Sequence, residues 1–145
     1  MTCEEIMTPS PTCCSPDHSS VDAAELMQRE DVGLVPVVDG ASSKLVGVIT
    51  DRDITLKVVA AGLDPRGTVV SQVMTADPAC CRPSEPIEAV VELMAKRQVR
   101  RVPIVDNAGA IVGIVSQADI ATRLANAKET GQVVQAISEP ATASV

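Results

Sequence analysis

The chain has no phenylalanine, tyrosine or tryptophan among its 145 residues. Single-stranded nucleic-acid binders combine ring platforms with a basic groove. This sequence lacks the rings and carries a formal net charge of −7, which argues against nucleic acid as a partner. The same acidity disfavours an anionic membrane surface, and no apolar run approaches the roughly 20 residues that cross a bilayer. The opening stretch Met1–Met7 carries Glu4 and Glu5 where a secretory leader carries Lys or Arg, so a cytoplasmic protein is expected. Histidine occurs once, as His18 in a polar loop, with no second histidine and no Gly-x-Ser-x-Gly elbow beside it. Glu4 and Glu5 suit a helix start, where their charge favours the dipole without acid–base work. No catalytic constellation emerges, and the expectation is a protein that is not an enzyme.

What the sequence does have is aliphatic residues and repetition. Hydrophobic residues make up 46% of the chain, so Val, Ile, Leu, Met and Ala must fill the core. A chain this short is expected to form one cooperative unit. Ile6-Met7-Thr8 recurs as Val73-Met74-Thr75, 67 residues on. The same offset carries Cys13-Cys14 onto Cys80-Cys81, Glu25-Leu26-Met27 onto Glu92-Leu93-Met94, and Val35-Pro36 onto Val102-Pro103. After a one-residue deletion in the turn-rich stretch following Asp39, Gly47–Ile54 falls on Gly113–Ile120 at an offset of 66.

Local patterns predict helix, strand, strand, helix in each repeat. Val21–Met27 and Ile87–Met94 have helical spacing, with Ser19 and Ser84 as N-caps. Gly33–Val38 with Leu45–Thr50, and Val99–Val105 with Ile111–Ser116, read as hairpins. Helices then resume over Asp53–Ala61 and Asp119–Ala125, the first stopping at Gly62 before Pro65. The expected divisions are repeat 1 over residues 1–62, a linker over 63–67, repeat 2 over 68–127 and a C-terminal helix or tail over 128–145. Neither repeat can bury itself in about 60 residues. The predicted fold class is therefore α+β: two pseudo-twofold α-β-β-α repeats whose small sheets pack face to face and leave a cleft on each side of the local axis.

The order Met-Thr, Glu-Leu-Met, Val-Pro-Val-Val-Asp, Gly-Val-Ile-Thr-Asp-Arg-Asp-Ile resembles the cystathionine-β-synthase (CBS) repeat over about Glu4–Leu124. Thr50–Ile54 and Gln98–Pro103 are also similar to those of stand-alone bacterial two-repeat proteins of the hypoxic-response type. The resemblance implies a CBS pair, or Bateman module. Such a module senses an adenosine-containing ligand, dimerises, and acts on an effector protein that the sequence does not identify. No cofactor is required, and the candidate ligands are AMP, ADP, ATP and S-adenosylmethionine.

The strand–helix junction Gly47–Asp53 is the leading site, because unpaired N–H groups at a helix start favour an anion. Thr50 offers a hydroxyl there, and Asp53, three residues on, can chelate vicinal hydroxyls. The family uses the matching residues this way, and Ser116 and Asp119 repeat them. An N-cap arrangement accounts for the same spacing. Arg52, Arg100 and Arg101 are the candidate phosphate cations, although repeat 1 has Gly33 and Leu34 where repeat 2 has the last two. Lys96 and Arg97 read as a solvated basic helix end. Val35-Pro36 and Val102-Pro103 suit either a purine wall, with exposed rings beside a free carbonyl, or edge-strand protection. Cys13 and Cys80 lie where family members read the adenine edge through the backbone, on the first strand of each repeat. In each Cys-Cys pair one thiol should face the core and the other the cleft or solvent. A thiol-based metal or redox site and small buried hydrophobes are the alternatives, and there is no Cys-x-x-Cys spacing. Leu26, Met27, Leu93 and Met94 fit the core or a homodimer seam, and Gly131–Ile137 is apolar enough for further helix. An interaction protein without nucleotide is the competing function.

Overall fold

A computed structural model describes residues 1–123 of the chain. In order, these form α1 (Cys3–Ile6), β1 (Thr8–Pro9), α2 (Ser20–Glu30), β2 (Leu34–Val38), β3 (Leu45–Thr50) and α3 (Asp51–Ile54), which runs into a π-helical turn, Thr55–Val59. There follow α4 (Val70–Val73), β4 (Thr75–Ala76), α5 (Ile87–Arg97), β5 (Arg101–Val105), β6 (Ile111–Ser116) and α6 (Gln117–Arg123). The class is α+β, with two three-stranded sheets ordered β2-β3-β4 and β1-β6-β5. The expected tail helix over Gly131–Ile137 lies outside the described residues.

The elements gather into two compact units, and these cut across the repeats. One unit, built on α2, comprises Ser10–Pro78 with Asn107–Ile111; the other, built on α5, takes Met1–Pro9, Ala79–Asp106 and the described residues from Val112 on. Each repeat therefore gives its opening segment to the other repeat's sheet. β4 pairs antiparallel with β3 (Gly47 opposite Ala76), and β1 with β6 (Pro9 opposite Gly113).

The exchange follows one hydrogen-bond scheme, used twice. At the start of α5, Ile87 N–H donates to Met1 O (3.0 Å) and Cys3 N–H to Glu85 O (2.9 Å). At the start of α2, Ser20 N–H donates to Thr68 O and Val70 N–H to His18 O, both at 2.8 Å. The backbone groups left open at these helix starts are thus satisfied by a segment far away in sequence. Apolar contact does the rest: Cys3 and Ile6 are buried among Ile87, Val90 and Met94, and Val70 and Val73 among Ala23, Leu26 and Met27. At about 1.5–3 kcal/mol for a fully buried Val, Ile or Met, each borrowed helix supplies a sizeable share of its unit's core.

Two glycines explain the repeated Met-Thr and Gly-Val/Ile motifs. A Cβ on Gly47 would lie 2.7 Å from Met74 Sδ and 2.8 Å from Thr75 O. A Cβ on Gly113 would meet Sδ, Cγ and Cβ of Met7. The methionine of each opening segment thus lies across the glycine of the other repeat's hairpin.

Helix ends account for most differences from the expected boundaries. Ser19 is the N-cap of α2, in a reciprocal capping box with Asp22, but the N-cap of α5 is Pro86, not Ser84. Pro86 occupies the position of Ser19 and offers no capping side chain; Ala89 N–H donates to Pro86 O instead (2.9 Å). α2 and α5 stop at Asp31 and Gln98, both left-handed with φ 54°. Their next N–H groups return to the helix, Val32 to Met27 O and Val99 to Met94 O. This consumes Gly33, Val99 and Arg100 as connection, so β2 begins at Leu34 and β5 at Arg101.

The later helices start two residues before the expected Asp53 and Asp119, with Thr50 as the N-cap of α3. After α3, Thr55 Oγ1 donates back to Asp51 O (3.0 Å). The ladder then widens to i→i+5 bonds, Ala60 N–H to Thr55 O among them. Of the stripe considered for the core or a dimer seam, Leu26, Met27 and Met94 are buried in the cores, and Leu93 is half-buried against one of them.

Candidate functional site

The two strand–helix junctions are the same object locally. In the α2 unit, Thr50 N–H donates to Asp53 Oδ2 and Asp53 N–H to Thr50 Oγ1, each at 3.0 Å. In the α5 unit, Ser116 N–H donates to Asp119 Oδ2 (2.8 Å) and Asp119 N–H to Ser116 Oγ (3.0 Å). Both are capping boxes, so the N-cap reading of this spacing holds for both repeats. The arrangement also fixes the hydroxyl and carboxylate side by side at the end of a strand. Each hydroxyl keeps a proton to donate, and one carboxylate oxygen lies outside the box.

Around this shared frame the junctions differ. Asp53 Oδ1 is paired with Lys57 Nζ at 3.1 Å, and Lys57 also donates to Val73 O at the end of α4 (3.0 Å). Asp119 has no ion pair among the described residues, although Arg123 stands four positions on, as Lys57 does from Asp53. Asp51 N–H donates to Gly33 O (3.0 Å), and a Cβ on Gly33 would lie 3.1 Å from Asp51 Oδ2. The corresponding backbone bond runs from Gln117 N–H to Arg100 O at 2.8 Å. A glycine facing a carboxylate in one unit is thus an arginine beside a glutamine in the other. Arg52, Arg100 and Arg101 are exposed, and none has a side-chain partner among the described residues.

The proline and cysteine expectations need correction in part. Pro36 and Pro103 are buried with Val35 and Val102, so they present no exposed ring surface. Their own carbonyls take part in the backbone pairing: Cys14 N–H donates to Pro36 O (2.9 Å) and Cys81 N–H to Pro103 O (3.1 Å). Cys14 and Cys81 make isolated parallel bridges to Val37 and Ile104, in place of the expected first strand of each repeat. The open side of β2 and β5 is thereby covered, as edge protection requires. Within each Cys-Cys pair the division between inside and outside is as expected. Cys14 and Cys81 are buried, Cys13 is half-buried with its thiol directed at Pro11 O, and Cys80 is exposed.

Burial, and then neighbouring Cys13, pushes the Cys14 thiol up to about 11. Burial, and then Glu85, pushes Cys81 up to about 12. Without a metal these are protonated thiols at neutral pH, unlike the thiolates of reactive cysteines. No group of three or more His, Cys, Asp or Glu able to hold a metal occurs among the described residues. His18 accepts from Ser15 N–H through Nδ1 (3.0 Å) and closes the loop whose carbonyls cap α4.

Sequence reasoning passed over Lys57, Asp51 and Gln117. Lys57 was accessible as an i,i+4 partner of Asp53. The opposition of Gly33 to Asp51 depends on backbone pairing that no local pattern encodes.

A module that repeats one capped strand–helix junction within a duplicated α-β-β-α framework is what the CBS-domain family builds, and the family profile matches residues 3–60 and 70–126. The chain belongs to this family. It is 37% identical over 135 residues to the CBS domain-containing protein YhcV of Bacillus subtilis, covering 93% of this chain and 94% of that one. It is 34% identical over 139 residues to Hypoxic response protein 1 of Mycobacterium tuberculosis, covering 96% and 95%. The crystal structure of Hypoxic Response Protein I with two coordinated zinc ions is similar at TM-score 0.78, covering 86% of this chain and 99% of that one. CBSX2, crystallised in complex with AMP, is 30% identical with TM-score 0.71, covering 83% and 93%. Among the described residues no helix is long and apolar enough to cross a membrane.

Proposed function

We propose that the chain is a non-catalytic cytoplasmic sensor that binds an adenosine nucleotide at a strand–helix junction and passes the occupancy to an effector protein, acting as a homodimer. One observation carries this reading. A hydroxyl and a carboxylate are locked together at Ser116–Asp119 beside Arg100 and Arg101, two arginines without a partner among the described residues. The carboxylate suits a ribose diol, and the arginines suit phosphate. CBSX2, a relative of similar fold, was crystallised with AMP. A ligand changes partner binding only by holding two arrangements with different affinity, so the signal rests on differential binding.

The zinc ions of Hypoxic Response Protein I favour a second reading, a thiol-held metal. It has less support here, since no three His, Cys, Asp or Glu side chains come together as a ligand group among the described residues. The deciding measurement is thermal melting with AMP, ADP, ATP and S-adenosylmethionine. A nucleotide at a hundredfold excess over its Kd stabilises the native state by about 2.7 kcal/mol. A flat response across all four would remove the nucleotide reading and leave an interaction protein.

A further inference from the structure

We propose that the two junctions are not two copies of one ligand site: phosphorylated adenosine binds once per chain, at Ser116–Asp119, and Asp51 together with Lys57 excludes it from Thr50–Asp53. The inference rests on the nucleotide reading above and assigns its selectivity.

The backbone frames match, since Asp51 N–H to Gly33 O and Gln117 N–H to Arg100 O are the same bond in the two repeats. What differs is the charge hung on that frame. At the α5 junction the side chains are Arg100, Arg101, Gln117 and Ala118, with a formal charge of +2. At the α2 junction they are Gly33, Leu34, Asp51 and Arg52, with a formal charge of zero. Asp51 cannot easily be turned away, because its Oδ1 accepts from Arg52 N–H at 2.8 Å while Oδ2 faces Gly33. A phosphate approaching over Gly33 meets this carboxylate where it would meet an arginine in the other repeat.

The second barrier concerns the ribose. Its diol needs a carboxylate oxygen as acceptor. Asp53 Oδ2 is held by Thr50 N–H (3.0 Å), and Oδ1 is held by Lys57 (3.1 Å), itself anchored to Val73 O. Asp119 spends Oδ2 on Ser116 N–H in the same way. Its other oxygen has no partner among the described residues.

Isothermal titration of the full chain with AMP tests this, with circular dichroism and melting as controls for folding. The wild type should take up one AMP per chain. Asp119→Asn, which keeps the capping geometry, should weaken binding by roughly tenfold or more, the loss of about 1.4 kcal/mol; Asp53→Asn should leave Kd within about twofold. Transplanting the other repeat's pair, Gly33→Arg with Asp51→Gln, together with Lys57→Met to release Asp53 Oδ1, should create a second AMP site and raise the stoichiometry to two, whereas Lys57→Met alone should not. Adenosine, which lacks phosphate, should bind this triple variant no better than it binds Lys57→Met. Two AMP sites in the wild type, or Asp53→Asn weakening binding as much as Asp119→Asn, would overturn the inference and leave nucleotide binding intact. A folded wild type that binds no AMP would overturn both. Should the triple variant melt early, the two single Asn variants decide the question alone.

Discussion

The α2 and α5 units are built to the same plan yet are finished differently, and the differences fall at the helix ends. α2 has a side-chain cap, Ser19 with Asp22, whereas α5 has Pro86 and closes through the backbone alone, Ala89 N–H on Pro86 O. α3 is followed by a π-helical turn and ties Asp53 to Lys57; α6 has no such pair among the described residues. Duplication therefore preserved the backbone connections and left side chains free to diverge wherever the backbone alone could close a helix end.

This comparison can be broken most severely at the borrowed segments. Removal of residues 1–9 takes Cys3, Ile6 and Met7 from the α5 unit, together with the carbonyl at the start of α5. Hydrogen exchange should show Val90 and Met94 amides losing protection before those of Leu26 and Met27; uniform loss would mean that the units do not open separately. Next in size, Gly113→Val and Gly47→Val force a side chain into Met7 and Met74 respectively. Each should cost about 1–3 kcal/mol or more in denaturant melts. Gly47→Val should be the worse, because there the obstacle includes the backbone carbonyl of Thr75, 2.8 Å from the added Cβ, and not a flexible side chain alone.

A smaller contrast sits at the caps. Ser19→Ala should cost about 1 kcal/mol, whereas Ser84→Ala should stay within about 0.5 kcal/mol, as for an ordinary surface change. Equal effects would restore Ser84 as a cap. Lys57→Met should cost less than about 1 kcal/mol, because the pair with Asp53 is part-exposed.

The thiols give the smallest effects at neutral pH. A thiol reagent should find Cys80 first and Cys13 next, with Cys3, Cys14 and Cys81 reacting only through opening. Because the folded pKa values of Cys14 and Cys81 are raised, to about 11 and 12 from an ordinary 9.0, their contribution to stability is complete below pH 9. It is lost as pH rises through the folded values. Melts between pH 7 and 11 should show this decline, and Cys14→Ala with Cys81→Ala should flatten it.

Much of the architecture was legible because its signals are local and doubled. β3 and β6 fall where alternation and β-branched residues put them, Leu45–Thr50 and Ile111–Ser116. The Thr50/Asp53 and Ser116/Asp119 pairs were visible as a recurring three-residue spacing, and the capping boxes realise it. What escaped depends on pairing across long sequence distances. Nothing near Ile87 announces that its N–H will meet Met1 O, and nothing near Gly47 shows that Met74 will lie on it. The purine wall failed for a related reason: Val35-Pro36 reads as exposed apolar surface until Cys14 is seen to cover that edge.

The traded opening segments bear on ancestry. A forerunner with a single repeat would have lacked its own first turn and become whole only by swapping it with a sister molecule, at a concentration high enough to meet one. Fusing two such genes head to tail turns that encounter into a tether. Fragments 1–66 and 67–145, each poorly structured in isolation, should accordingly rescue one another on mixing.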